Sequence, residues 1–343
     1  MSGGVDSSVA AALLLEQGYE VVGVTLHLWD ASGASQVGRC CAPEDREDAR
    51  RVCDHLGIAH YVLDEREAFR TEVVEPFVDA YLAGRTPSPC VTCNQHVKLG
   101  RFASLADTFG ARSIATGHYA RIERDPAGAP RLLRGLDRAK DQSYFLYGVP
   151  TEILARLILP LGGLTKDRTR DEGRRLGVPR WDKPDSQELC FVPDGDIGRF
   201  VDRERGAARP GRITDETGAT VGEHAGLHRF TVGQRKGLGL GGGPVRYVLR
   251  VVPETAEVVV GPEQRLFGTR VRVRDVAWPG TVRRDPFEAR VRVRYRHEPA
   301  VATVVPTDDG FEAEFVEPQR AITPGQAAVV YVGDEVVAGG FIA

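Results

Sequence analysis

The sequence predicts an α/β protein: an N-terminal domain built on a parallel sheet, followed by two smaller β-rich modules. Three observations carry that reading. Helix and strand signals alternate as far as Thr116, the pattern of a parallel sheet covered by helices. A glycine-rich turn, Ser2-Gly3-Gly4, leads straight into a helical stretch. Beyond Val201 helical periodicity fades, Gly and Val become frequent, and short alternating runs take over.

The elements follow in order. Val9, Ala12, Leu13 and Glu16 fall on a helix that stops at Gly18, and Val21, Val22, Val24 and Leu26 read as a buried strand. Pro43 opens a second helix, with Ala49, Val52, Cys53 and Leu56 at helical spacing, and Gly57 ends it. Residues 58–63 read as another strand and 66–82 as a helix. A Pro-rich loop, Thr86-Pro87-Ser88-Pro89, precedes a helix over 97–109 and a strand over 113–116. Thr165 is placed to cap a helix running to Leu176. The later strands are expected at 246–252, 257–260, 270–276, 289–295, 301–305 and 328–332. A break near Gly268 gives the division 1–200, 201–267 and 268–343.

Length and composition narrow the function. The 343 residues suit two or three domains, and 42% hydrophobic residues exclude a wholly disordered chain. No apolar run reaches the ~18 residues of a membrane span, and no signal segment opens the chain, so a cytoplasmic protein without a membrane partner is expected. Lys plus Arg number 45 against 48 for Asp plus Glu, so only local basic faces argue for nucleic acid. Cys40, Cys41, Cys53, Cys90, Cys93 and Cys190 are too sparse for a disulfide scaffold.

Several constellations bear on chemistry. In Ser2-Gly3-Gly4-Val5-Asp6-Ser7-Ser8 the glycines let backbone approach a ligand, and the helix N-terminus behind them suits a phosphate. Two hydroxyls add donors, and Asp6 is suited to a Mg²⁺ that bridges phosphate oxygens. The Lys-bearing phosphate loop is absent. Cys90 and Cys93 form a C-x-x-C with His96 behind it, short of the four ligands zinc requires. Arg270, Arg272 and Arg274 alternate, as do Arg290, Arg292, Arg294 and Arg296. Each set lines one strand face, either a phosphate-binding stripe or a solvated face with carboxylates nearby. His27, His55, His60 and His224 have no ligand spacing.

SGGVDSS is the signature of the PP-loop ATP pyrophosphatases, which adenylate a carbonyl oxygen. Further segments fall in order along the chain: Cys93-Asn94, Ala115-Thr116-Gly117-His118-Tyr119, Lys140-Asp141-Gln142-Ser143-Tyr144-Phe145-Leu146, Leu189-Cys190-Phe191, Gly233 to Gly239, and Thr323-Pro324-Gly325-Gln326. Together they resemble the tRNA-specific 2-thiouridylase family. The resemblance implies an adenine nucleotide alpha hydrolase-like fold and ATP-dependent 2-thiolation of a wobble uridine, with release of AMP and pyrophosphate. It implies a persulfide on Cys190 and Cys93 as its catalytic partner. ATP contacts are implied for Met1, Ser2, Gly3, Gly4, Val5, Asp6, Ser7, Leu26 and Gly117. Leu26 stands where the family often has Met, a volume-conserving change. Contacts near or with tRNA are implied for Ser88, Pro89, Cys90, His118, Lys140, Asp141, Gln142, Arg294, Tyr295 and Gln326. The expected cofactors are ATP and Mg²⁺, and the expected partners are tRNA and a sulfur-donor protein or persulfide carrier. A three-cysteine Fe–S site on Cys90, Cys93 and Cys190 is a further expectation. The superfamily delivers the chain into its glycine-rich loop along a buried strand. None precedes Met1, which points to a truncated or misassigned start. A PP-loop ligase using an amine, a non-catalytic tRNA binder and a metal module on Cys90, Cys93 and His96 are the competing readings.

Overall fold

The chain runs through α1 (Val5–Glu16), β1 (Gly23–His27), α2 (Pro43–Leu56), β2 (His60–Asp64) and α3 (Arg66–Phe69). A π-helical turn (Arg70–Val74) leads into α4 (Glu75–Leu82). After it come α5 (Pro89–Thr92), a second π-helical turn (Cys93–Lys98) and α6 (Leu99–Thr108). Next are β3 (Ile114–Ala115), β4 (Ala120–Arg124), β5 (Pro130–Arg134), α7 (Thr151–Leu154), β6 (Leu157–Ile158), α8 (Lys166–Arg175) and α9 (Ile197–Arg205). This computed structural model describes residues 1–30, 43–184, 189–192, 194–206 and 208–343; Cys40 and Cys41 lie outside them.

The chain divides into two compact units. The first comprises residues 1–73, 90–195 and 334–336. Its parallel pairs are β1 with β2, Gly23 opposite His60, and β3 with β6, Ile114 opposite Leu157. Helix α1 is apolar nearly all round, with Val5 and every residue from Ser8 to Leu14 buried, as befits a core helix. Val5, Val9, Ala10 and Leu13 pack with Tyr119 and Leu161. It ends in a Schellman motif, in which Tyr19 N donates to Leu14 O and Gly18 N to Leu15 O. The same pair of bonds closes α2 at Gly57 and α8 at Gly177. Thr165 caps α8, its hydroxyl accepting from Arg168 N. The expected helix over 66–82 is divided by a π-helical turn, and the helical run before Thr108 begins at Pro89, earlier than expected. β4 and β5 form an antiparallel hairpin that sequence patterning did not reveal.

The second unit holds residues 74–89, 196–333 and 337–343. Its remaining strands are β7 (Gly211–Thr214), β8 (Thr220–His224), β9 (Tyr247–Val252), β10 (Glu257–Gly261), β11 (Phe267–Ala277), β12 (Phe287–Arg292), β13 (Ala300–Thr307), β14 (Gly310–Arg320), β15 (Ala327–Val332) and β16 (Glu335–Ile342). A four-stranded sheet runs β8-β7-β10-β9 around Ile213, Leu227, Phe230, Val248, Val258 and Val260. Strands β11-β14-β13-β12-β15-β16 form a barrel that closes where Val273 of β11 pairs with Ile342 of β16. Val271, Val273, Phe311, Ala313 and Phe315 point into its core.

Candidate active site

The Gly-rich turn is braced by its own hydroxyls. Ser2 N donates to Ser7 Oγ at 3.1 Å, the two serine oxygens are 3.0 Å apart, and Ser8 Oγ donates to Gly4 O at 2.8 Å. Thr25 Oγ1 on β1 donates to Met1 O at 2.7 Å. Gly3 has φ +70°, and a Cβ there would lie 2.0 Å from the carbonyl oxygen of Asp45. Gly117, two residues beyond β3, is also closely packed: a Cβ there would lie 2.6 Å from the carbonyl carbon of Asp6. Leu26 is buried in β1 and Val5 in α1. Met1 to Ser7 and Gly117, for which the resemblance implies ATP contact, thus gather around one loop, and Leu26 lies in β1, whose Thr25 holds Met1.

Two buried lysines, unread in the sequence, serve that loop. Asp6 Oδ1 accepts from Lys166 Nζ at 2.7 Å and from the Tyr119 hydroxyl at 2.8 Å. Lys183 Nζ donates to Gly3 O at 3.1 Å, Asp45 Oδ1 at 2.5 Å and Asp48 Oδ2 at 2.7 Å. Burial lowers the pKa of the Lys183 ammonium, but the two carboxylates outweigh it and the net shift is upward. Desolvation dominates at Asp45 and pushes its carboxyl up. No local pattern marks either lysine, because their partners lie more than 130 positions away.

The thiols belong to the same unit. Cys93 opens the second π-helical turn and is 5% exposed; Cys90, one turn earlier, is exposed, and Cys190 is half-buried. Phe191, next to Cys190, packs edge-on against Trp29 and Phe69, ring centroids 6.4 and 5.6 Å apart. Phe69 ends α3, which packs against the turn that Cys93 opens. α3 therefore links the surroundings of the two cysteines. Cys53 is a core residue without exposed surface, and burial pushes its thiol up. Among the described residues no three His, Cys, Asp or Glu side chains form a metal-holding group, Cys90, Cys93 and Cys190 included. One carboxylate beside a loop of amides and hydroxyls does fit a Mg²⁺ shared with phosphates, with Asp6 as the protein's ligand.

The positions implied for tRNA have differing surroundings. His118 Nδ1 is 2.8 Å from Thr116 Oγ1; desolvation, helped by Lys98, pushes its pKa down to about 3, so the ring is neutral. Asp141 is buried and accepts from the backbone N–H groups of Gly135 and Ser143, while Gln142 Oε1 accepts from Tyr119 N. Lys140 is half-buried. In the second unit, Gln326 Nε2 donates to Thr86 O at 3.0 Å and Pro87 O at 3.2 Å, and Ser88 Oγ accepts from Ala327 N at 3.3 Å. Pro89 is buried. Arg294 donates to Thr323 Oγ1 at 2.8 Å, with Tyr295 half-buried beside it. The Pro-rich loop, the Thr323–Gln326 turn and Arg294 therefore share one face of that unit.

The arginine stripes resolve unevenly. Arg270, Arg272 and Arg274 do share an exposed face, but Glu314 pairs with the first and Asp309 with the other two. Arg292 is buried, with Nε donating to His297 O at 2.8 Å.

Comparison with known proteins decides the family. Residues 1–194 match the tRNA methyl transferase HUP domain, 198–262 the tRNA methyl transferase PRC-barrel domain, and 269–342 the aminomethyltransferase beta-barrel domain. The tRNA-specific 2-thiouridylase MnmA of Sorangium cellulosum is 51% identical over 350 residues, covering 100% of this chain and 90% of that protein. The chain belongs to the tRNA-specific 2-thiouridylase family. The relative from Geobacter metallireducens is 47% identical, with 100% and 95% covered. For this family member, no helix among the described residues is long and apolar enough to cross a membrane.

Proposed function

We propose that this chain is an ATP-dependent tRNA sulfurtransferase that replaces the C2 oxygen of a wobble uridine with sulfur. The observation that carries the reading is the placement of both Cys93 and Cys190 in the compact unit that presents the Gly-rich loop and Asp6. An amine-using ligase would need the loop and not the thiols.

Loop amides between Ser2 and Ser7 and the ammonium of Lys166 offset phosphate charge as the uridine C2 oxygen takes the AMP moiety and pyrophosphate departs. Mg²⁺ beside Asp6 supplies further charge neutralisation on the phosphates. Adenylation turns that oxygen into a good leaving group. A persulfide on Cys190, delivered by a sulfur-donor protein, attacks C2 through its outer sulfur, and AMP leaves. The Cys93 thiolate then attacks Cys190 Sγ. The S–S bond breaks, its electron pair stays on the sulfur now bound to C2, and a Cys93–Cys190 disulfide forms. An external thiol reduces that disulfide to reset the enzyme.

Reaching such a site requires the base to leave its stack. Neutral His118 and the Lys140–Gln142 segment are suited to meeting the anticodon, Ser88, Pro89 and Cys90 belong to the stretch near the target base, and Arg294, Tyr295 and Gln326 meet RNA by shape and phosphate contact. Incubation with ATP, Mg²⁺, a persulfide-bearing sulfur-donor protein and unmodified tRNA, followed by nucleoside mass analysis, tests the reading. The expected product is uridine with one oxygen exchanged for sulfur; unchanged uridine with unconsumed ATP would overturn it.

A further inference from the structure

We propose that Lys183 is a positioning residue: by holding the Gly3 carbonyl it fixes which way the Gly3–Gly4 peptide faces, so that the Gly4 N–H is presented to the phosphates of ATP. The inference rests on the sulfurtransferase reading and deepens it, adding a residue on which nucleotide binding depends.

The need for such a tie follows from the sequence. A trans peptide points its C=O and its N–H in opposite directions. A Gly–Gly peptide turns over at little steric cost, because glycine accepts positive and negative φ alike. Turned one way, the Gly3–Gly4 peptide offers phosphate an N–H; turned the other way, it offers a carbonyl oxygen that repels it. Gly4 has φ −91° and ψ 163°. Turning the peptide over would carry its φ to the positive side, which glycine tolerates and other residues rarely do.

Lys183 removes that freedom. Its side chain is 3% exposed, and its three ammonium protons meet three acceptors, Gly3 O and the carboxylates of Asp45 and Asp48. The two carboxylates stand three apart at the start of α2, on one helix face, and hold the ammonium in place. Gly3 rests against the same helix, because Asp45 backbone atoms fill the space where its Cβ would stand. Its carbonyl is therefore aimed at the buried lysine, and the Gly4 N–H points the opposite way. There it donates to Ser2 Oγ at 3.4 Å, a long bond that an ionised phosphate oxygen outcompetes. Ser2 N donates to Ser7 Oγ in the same turn, so two amides meet one pair of hydroxyls. A lysine that merely filled space would support the fold without favouring ligands that carry phosphate.

Equilibrium dialysis of the full chain with ATP and Mg²⁺, and separately with adenosine, tests the assignment. Lys183→Met alone strands two buried carboxylates and threatens folding. The triple change Lys183→Met, Asp45→Asn, Asp48→Asn removes the charges together and the tie with them. Its ATP affinity is expected to fall at least about tenfold relative to its adenosine affinity, the scale of one hydrogen bond to a charged group. The parent chain gives a second reading. Glycine labelled with ¹³C at the carbonyl and ¹⁵N at the amide gives paired signals only at Gly–Gly peptides. The Gly3–Gly4 signal, assigned by its loss in Gly4→Ala, should move with ATP and stay in place with adenosine. An unchanged ratio of affinities in the triple variant, or a Gly3–Gly4 signal that ignores bound ATP, overturns this inference alone. A parent chain that neither binds ATP nor thiolates tRNA overturns the sulfurtransferase reading beneath it.

Discussion

Lys166 donates to Asp6 across 160 positions of sequence, Nζ to Oδ1 at 2.7 Å. The pair fixes the first turn of α1 to the start of α8, and it leaves one Asp6 oxygen beside the loop for a cation. Asp6→Asn keeps an acceptor for Lys166 and Tyr119 but removes the charge. We expect tRNA-dependent pyrophosphate release to fall at least about a hundredfold, the scale of losing one preorganised electrostatic partner. The thermal midpoint should change by only a few degrees. Pyrophosphate release within tenfold of the parent would remove Asp6 from the chemistry.

The two thiols should separate the half-reactions. Cys93→Ser and Cys190→Ser are each expected to abolish 2-thiouridine formation, by at least about a hundredfold. A first round of pyrophosphate release should survive within a few fold, because no thiol is needed to activate the C2 oxygen. Full thiolation by either variant would remove that cysteine from the sulfur transfer.

Gly3→Ala is expected to destabilise the first unit by about 2–4 kcal/mol. The new methyl adds left-handed backbone strain and meets the Asp45 carbonyl oxygen at 2.0 Å. Chemical denaturation measures it, and a loss under about 0.5 kcal/mol would mean that the loop is not seated on α2 as described.

Stability should fall as pH drops below about 6.5, the ordinary histidine value. Desolvation holds His118 down to about 3, so between those values the unfolded chain binds a proton that the folded chain refuses. Its contribution is complete above 6.5 and is lost on the way down. Burial shifts His60, His224, His228 and His297 in the same direction, so the slopes add. Urea midpoints at pH 7.5, 6.5 and 5.5 should decline in that order, and His118→Gln should flatten the decline. A midpoint that rises toward pH 5.5 contradicts the burial of these rings.

On the second unit, Arg294→Ala and Arg270→Ala should differ. Arg294 is a position for which the family resemblance implies tRNA contact, whereas Arg270 is not and is paired with Glu314. Filter binding across a salt series should show weaker tRNA binding and a slope reduced by roughly 0.7–0.9 for Arg294→Ala. Arg270→Ala should stay within about twofold. Equal losses would restore the stripe on β11 as an RNA contact.

Much of the fold was legible because the signals were local. Gly18, Gly57 and Gly177 stop helices through bonds spanning a single turn, and Val271 and Val273 alternate with arginines across the barrel wall. β14 lies outside the expected strands although Phe311, Ala313 and Phe315 alternate with glutamates. β16 escaped for the opposite reason: buried on both faces from Val336 to Gly340, it shows no alternation.

By itself the sequence determined the glycine-rich turn entering a helix, the strand–helix order, the change to β modules and the family to which two distant cysteines belong. Only the tertiary structure decided that Asp6 is held by Lys166, that Gly3 rests on Asp45 and Lys183, and that Glu314 and Asp309 pair with the arginines of one stripe. The reason is physical. Turns and periodicities depend on atoms a few residues apart, whereas the field at a buried charge depends on whichever side chains the fold brings within a few ångströms, however far away they stand in the chain.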